Sequence, residues 1–527
     1  MMRFVCRLYS LTESRYGILI MLAVVVAICS TWFLDMRNDD AYITYRYAYN
    51  LVYGQGFVFN PGERILATTS PFHAILITIV AFIDRVNLPY GANVLSAIAL
   101  LVLSYHCFLL LAHFGCPRAG AVCALFAVIN NWTYSFFPLE TVILLSLEIA
   151  MLYYYLRQRL LLAFVSGACA VLTRFDATVL IAVILVHFLI VRRDSRRLLV
   201  PGGAFLAIVL PWFIFSWTYF GTLLPNTFAA KAGFASDLGL FVRTIWPKVL
   251  STSIGQNAYL SAIPIGLSIV SVWSALRRKQ GDYLLIPMWG TLYIIAYSML
   301  GIAFPHAWYF YPLVIISLIL GCHGGSQVYN TIKGAVMPRM GKSFSLVMAL
   351  ATIGLVIFQL KTVREYSFAH HHTPWTTTRE KAYIEASNWL RDNTEKGSTV
   401  AALEIGTVGY YSGRIIVDLL GLATPAAIPN VRSGAWSKTI NDLQPDYVLV
   451  QHRVDEPALD NPESDTLVLL GQRFEGFQIA VRFSSEGYEI AIYRRTQDAS
   501  LIPGWSSWIW VSEHGVDRGW QLCLSLG

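Results

Sequence analysis
The chain has 527 residues, of which 56% are apolar, 14% aromatic and only 13% charged, with a formal net charge of +7. So little charge on so long a chain excludes a soluble protein and fits a polytopic membrane protein. The positive balance is no sign of nucleic acid, because arginine and lysine gather in short loops between hydrophobic segments, as loops on the inner side of a membrane do.

In chain order, the first apolar segment, 16–34, is too long for the apolar region of a signal peptide and is followed by further spans, so it reads as a retained helix. A polar stretch follows: Asn38-Asp39-Asp40-Ala41-Tyr42-Ile43-Thr44-Tyr45-Arg46, running on to Asn50. Asn38 can cap a helix that begins at Asp39, on which Asp39, Ile43, Arg46 and Asn50 share one face while Asp40 points about 100° away. Next, Asn60-Pro61-Gly62-Glu63 has proline and glycine where a type II turn wants them, between Phe57–Phe59 and Arg64–Leu66, which predicts a hairpin. The apolar segment 71–84 is short and is expected to lie on or dip into the interface.

Further spans are expected near 90–112, 117–131, 139–156, 160–173, 177–191, 198–219, 257–276, 283–302, 306–322 and 344–361, about eleven in all. Threaded from a cytoplasmic N-terminus, they put the dense basic clusters (Arg157/Arg159, Arg192–Arg197, Arg277–Lys279 and Lys333–Lys342) on one side. The opposite, extracytoplasmic face receives the outer loop 35–89 with its Asp39/Asp40 pair, Glu140, the loop 220–256 and everything after 361. These spans form a membrane domain, 1–361.

Beyond it the composition changes. Thr377 and Glu380 have capping-box spacing and open an amphipathic helix through Arg391. Strand-like runs follow at Ser398–Leu403, Arg414–Leu419, Asp446–Gln451, Gln478–Phe483 and Tyr488–Arg494, giving a small α/β domain over 362–500. The tail, 501–527, carries Trp505, Trp508, Trp510 and Trp520. Four of the eight cysteines (Cys29, Cys107, Cys123 and Cys169) lie in apolar segments and no CxxC pair occurs, so they read as small hydrophobes. His370-His371-His372 lacks metal-ligand spacing, since consecutive side chains diverge.

The run Asp39-Asp40 … Arg46 … Asn50 … Gly54-x-Gly56-x-Val58-x-Asn60-x-Gly62-Glu63-Arg64 … Thr69 resembles the first outer loop of the mycobacterial terminal β-arabinofuranosyltransferases. These are integral-membrane glycosyltransferases of the GT-C fold. The likeness continues in register at Leu139-Glu140, at Leu172-Thr173-Arg174-Phe175-Asp176 and at Tyr219 to Thr227 and Lys231. It departs at Arg174-Phe175-Asp176, where relatives tend to read Arg-Pro-Glu. The resemblance implies a GT-C-like helical bundle that transfers a sugar from a polyprenyl-phosphate donor to a hydroxyl of an envelope glycan, lipid or protein, in the plasma (inner) membrane.

By the same resemblance Asp39 is the general base, with Asp40 supporting it. The attacking hydroxyl must lose a proton, which calls for a carboxylate within reach. The departing phosphate calls for fixed cations, for which Arg46, Arg174, Lys231 and His306 are candidates. Glu63, Arg64, Thr69, Glu140, Asp176 and Asn226 complete the matching polar positions. Glu140 can bind a sugar hydroxyl, and Trp308 and Tyr309 can wall the sugar and prenyl pocket or form an interfacial aromatic belt. Paired acids with Glu140 also suit a hard divalent cation (Mg, Ca or Mn), a question the residues leave open. A transporter would bury acids in mid-span and often repeat itself in two halves; the acids singled out above lie at helix ends on one face, and no repeat is seen. A non-catalytic component of envelope assembly would keep the fold with Asp39 dispensable.

Overall fold
The computed structural model describes residues 14–84, 87–231, 242–243, 258–300, 306–340, 342–372, 379–433, 436–453, 467–469, 472–474, 476–485 and 488–496. The tail 501–527, Thr377 of the expected capping box and most of the loop 220–256 lie outside them.

The chain folds into two units interleaved in sequence. One is made of 1–38, 69–223 and 235–368, the other of 39–68, 224–234 and 369–527. In chain order the first helices are α1 (Arg15–Thr31), α2 (Asp39–Val52), α3 (Pro71–Ile83), α4 (Leu88–His113), α5 (Pro117–Val128), α6 (Asn131–Ser135), α7 (Thr141–Leu156), α8 (Leu160–Thr173), α9 (Thr178–His187) and α10 (Leu199–Phe220). There follow α11 (Asn226–Lys231), α12 (Ala258–Arg277), α13 (Leu285–Leu300), α14 (Tyr311–Met340), α15 (Lys342–His372) and α16 (Arg379–Asn393). From there strands alternate with short helices: β1 (Thr399–Ala402), α17 (Gly406–Ser412), β2 (Ile415–Asp418), α18 (Ile428–Arg432), α19 (Trp436–Leu443), β3 (Tyr447–Arg453), β4 (Leu467–Leu469), β5 (Gln472–Phe474), β6 (Phe477–Ser485) and β7 (Tyr488–Arg495).

The first unit is a helical bundle in which α4 packs on α5 and α7, α7 on α8, α8 on α10, and α12 on α14. Its helices are apolar all round, as befits a lipid-facing bundle, and they approach through small residues. At Gly324 of α14 a Cβ would overlap the Leu267 carbonyl of α12. Five helical stretches are long and apolar enough to cross a membrane: Leu88–His113, Phe175–Arg192, Ser195–Phe220, Gly281–Leu300 and Ala307–Gly334. Six other apolar helices are shorter, including Pro117–Val128 with 12 residues, which at about 1.5 Å per residue spans only part of a hydrocarbon core. The expected count of about eleven spans is therefore not reached by length and composition among the described residues. The segment after Ser70 is a full helix, with Pro71 at its first turn, where a proline's missing N–H costs nothing.

In the second unit a five-stranded sheet runs in the order β2-β1-β3-β7-β6. β1 pairs in parallel with β2 and β3, and β7 pairs antiparallel with β3 and β6. All five strands fall on the strand-like runs of the sequence. Ala401, Val417, Val448, Val450, Ala491 and Tyr493 fill the core under the sheet, with Ile440 of α19 closing it. α2 begins at Asp39 and buries Ile43, Arg46 and Asn50, as their shared face predicts, but also Tyr42, Tyr45 and Tyr47. The type II turn is present, with Gly62 at φ +89 and the Glu63 N–H donating to the Asn60 carbonyl at 3.1 Å. Residues 57–66 carry no strand ladder, so the predicted hairpin is a turn in an irregular loop. Its backbone is satisfied by side chains instead: Asn50 Nδ2 donates to the carbonyls of Val58 (2.9 Å) and Phe59 (3.0 Å).

Candidate functional site
In the second unit, Asp39 opens α2 with its carboxylate turned onto the start of α17. The backbone N–H of Gly406 donates to one oxygen at 3.0 Å and that of Thr407 to the other at 2.7 Å. Glycine is required at 406, because a Cβ there would overlap the Asp39 carbonyl. Burial pushes the Asp39 carboxyl above the usual aspartate range; the two amide bonds pull it back, and the charge on Asp40 adds to the rise. The result is a carboxylate that binds a proton more readily than an ordinary aspartate and is held in one orientation.

Beside it lies a pair that the sequence reading missed. Glu404, on the turn after β1, is ion-paired with Arg379 at the start of α16, their side chains 25% and 13% exposed. Burial pushes Glu404 up to about 7 against the pull of Arg379, with Asp39 and Asp40 adding to the rise. Burial works against the charge on Arg379, but Glu404 outweighs it and holds the guanidinium above its ordinary range.

Arg46 sits deep in the same unit. It donates to Asn60 Oδ1 (3.3 Å) and the Arg414 carbonyl (2.6 Å) and lies 4.4 Å over the Phe59 ring. Burial lowers it to about 9. Asn60 closes the arrangement by exchanging two bonds with the Ile416 backbone, and it also donates to Glu63 at 3.0 Å. Asn226 Nδ2 donates to the carbonyls of Gly421 (2.6 Å) and Leu422 (2.9 Å). Arg46, Asn60 and Asn226 thus hold this unit together. Glu63 and Arg64 are exposed. The side chain of Lys231 lies outside the described residues.

The bundle unit carries its own polar cluster, buried in a setting where ionisable groups are expensive. Arg174, just past the end of α8, pairs with Asp176 at 2.7 Å and donates to Tyr297 at 2.8 Å. The same Asp176 oxygen accepts from Tyr293 (3.1 Å) and Tyr297 (2.6 Å), and the Tyr309 ring lies 5.1 Å from the guanidinium. His306 stacks on Trp308 at 4.3 Å with the rings 6° apart. Glu140 precedes α7 without capping it and acts on Arg174 through its charge. Thr69 is exposed, its hydroxyl 3.4 Å from that of Ser70.

In and beside this cluster, buried atoms without a hydrogen-bond partner among the described residues include Arg174 Nη1, Asp176 Oδ1 and Glu148 Oε2. Glu148 stands in the middle of α7 within charge range of Arg174 and Asp176. An acid inside an apolar span was the available signal for it. Tyr293 and Tyr297 gave none, since tyrosine is common in such helices.

Among the described residues no three His, Cys, Asp or Glu side chains converge as a metal site.

Residues 370–505 match a family described as "Domain of unknown function (DUF8728)". A comparison with curated protein sequences gives no match. Among solved structures, the chain is similar to ArnT from Cupriavidus metallidurans bound to undecaprenyl phosphate, with a TM-score of 0.58 and 13% identity over 91% of this chain and 98% of that one. It is also similar to the Archaeoglobus fulgidus oligosaccharyltransferase in complex with Zn and sulfate, with a TM-score of 0.57 and 14% identity over 82% of this chain and 67% of that one. These similarities do not confirm the likeness to the mycobacterial arabinofuranosyltransferases. Both similar proteins are GT-C glycosyltransferases, and this chain has the GT-C fold.

Proposed function
We propose that the protein is a membrane glycosyltransferase of the plasma (inner) membrane. It takes a sugar from a polyprenyl-phosphate donor and passes it to a hydroxyl of an envelope glycan, lipid or protein on the extracytoplasmic face. The observation that carries this reading is a carboxylate, Asp39, held by two backbone amides at the head of the helix that follows the first apolar segment, in a chain of GT-C fold. The similarity to ArnT in its undecaprenyl-phosphate complex supports a lipid-linked donor.

In the reaction, the acceptor oxygen attacks the anomeric carbon and its proton passes to the Asp39 carboxylate. The bond from the anomeric carbon to the phosphate oxygen breaks, and its electron pair leaves with the polyprenyl phosphate. An ordinary aspartate, with a pKa of about 3.9, is a weak base for a sugar alcohol. The raised proton affinity of Asp39 brings it closer to the task, and its fixed orientation supplies positioning. Asp40 is its supporting carboxylate. In the bundle unit, Arg174, His306, Trp308 and Tyr309 serve the donor, and Glu140 and Asp176 bind hydroxyls.

The test is release of polyprenyl phosphate from a mixed pool of lipid-linked sugars, with membrane acceptors present, by wild type, Asp39→Asn and Asp40→Asn. Wild type should consume one donor, which names the sugar, and Asp39→Asn should lose at least a hundredfold in rate, within the roughly 10²–10⁴ that general-base catalysis supplies. Asparagine offers only one acceptor oxygen to the two amides, so the thermal midpoint must be read alongside. Full turnover by a folded Asp39→Asn would end its role as base.

A further inference from the structure
The turn Glu404 to Thr407 is tied down on both sides. At its exit the amides of Gly406 and Thr407 hold the Asp39 oxygens, and Gly406 passes α2 at backbone distance. At its entrance Glu404 pairs with Arg379. Arg379 in turn donates to Gln451 of β3 at 3.0 Å and lies 5.2 Å over the Tyr383 ring of α16. The charged and titratable groups around the turn are Asp39 and Asp40 from α2, Arg379, Glu380 and Tyr383 from α16, and Glu404 itself.

A brace made for stability alone would not bring a third carboxyl toward two others. Like charges repel, and burial adds to the cost of each. Acids gathered in this way are characteristic of sites where chemistry needs them. Resting on the reading of Asp39 as the base, we propose that Glu404 is its positioning residue: paired with Arg379, it locks the turn whose two amides aim the Asp39 lone pairs at the acceptor hydroxyl. The domain of unknown function thereby gains a role, since its first strand-to-helix turn sets the geometry of the base.

The test uses the full chain in lipid nanodiscs: wild type, Glu404→Asp, Glu404→Leu, and Glu404→Leu combined with Arg379→Met. The double variant removes both charges, so that no unpaired guanidinium is left buried to unfold the protein. With the mixed polyprenyl-phosphate sugar pool as donor, Glu404→Leu and the double variant should each lose roughly a hundredfold in kcat, the cost of displacing a reacting group by about 1 Å. The KM for donor should stay unchanged, and Glu404→Asp should recover part of the loss. Hydrogen exchange at the amides of Gly406 and Thr407 should quicken in Glu404→Leu while that of β1 stays as in wild type.

A kcat within twofold of wild type, or a loss that follows the amount of folded protein, overturns the proposal. If wild type consumes no donor, the transferase reading falls separately. The exchange measurement then decides the rest: quickened exchange confined to the turn supports the lock, and unchanged exchange overturns it.

Discussion
Glu404 and Asp418 are carboxyls that burial holds at raised values, Glu404 from 4.5 to about 7 and Asp418 from 3.8 to about 6. Asp418 is fully buried and accepts from the amides of Leu420 and Ala423, both at 2.8 Å. Each binds its proton more tightly folded than unfolded. Its contribution to stability is therefore complete below the unfolded value and is lost as pH rises through the folded one. The windows are 4.5 to about 7 for Glu404 and 3.8 to about 6 for Asp418. The thermal midpoint of the purified protein should fall between about pH 4 and pH 7, and Glu404→Gln should remove the part of the fall nearest pH 7. An unaltered curve in that variant would show that Glu404 ionises normally. Asp176→Ala leaves Arg174 buried without its partner and should cost about 3–5 kcal/mol, read as a lowered midpoint in detergent. Asp39 and the Arg174–Asp176 pair were legible in the sequence because acids beside a helix start or an apolar span stand out. Glu404 was not, because the amides that link its turn to Asp39 lie 367 and 368 residues away along the chain.

At the scale of elements, the strands were legible as short runs rich in apolar residues, although β1 and β2 do not alternate and are buried along three of their four residues; the sheet order follows from pairing that such runs do not encode. The bundle was legible as apolar segments whose ends lie close to those of the helices, except that α14 and α15 run on past 322 and 361. A helix can continue beyond its apolar stretch because polar residues carry on the same backbone hydrogen bonds, so hydropathy marks the membrane region rather than the helix end. The hairpin at 57–66 failed for a related reason: a type II turn fixes four residues, whereas the ladder beyond it needs a partner strand, and Asn50 takes those carbonyls instead. Glycines separate packing from propensity in α14. Gly324→Ala should drive α14 off α12 and cost about 1–3 kcal/mol, since the obstacle is a backbone carbonyl that cannot rotate aside. Gly334→Ala meets open space and should be neutral, or stabilising by up to about 1 kcal/mol through helix propensity. Thermal unfolding of both variants in the same detergent checks the contrast, and equal effects would show that the two helices do not approach through Gly324.

At the scale of the molecule, the second unit is not a tail domain appended to a bundle. It is assembled from three stretches of chain, 39–68, 224–234 and 369–527. The first two supply hydrogen bonds that the third cannot make for itself. Asn60 bonds both the N–H and the carbonyl of Ile416 in β2, Arg46 takes the Arg414 carbonyl, and Asn226 takes the carbonyls of Gly421 and Leu422. Asp39 satisfies the first two amides of α17. These groups are paired in the whole unit, and each buried one left bare costs on the order of 1–3 kcal/mol. A domain of this size is stable by only about 5–15 kcal/mol, so losing several such bonds is enough to unfold it. Residues 369–500 expressed alone should therefore lack a cooperative thermal transition and dispersed amide resonances. Adding a peptide of residues 39–68 in trans should restore part of the fold, because it returns the Asp39, Arg46 and Asn60 partners together. Cooperative unfolding of 369–500 by itself would mean that the sheet and its core suffice, and that the first outer loop docks on a finished domain instead of completing it.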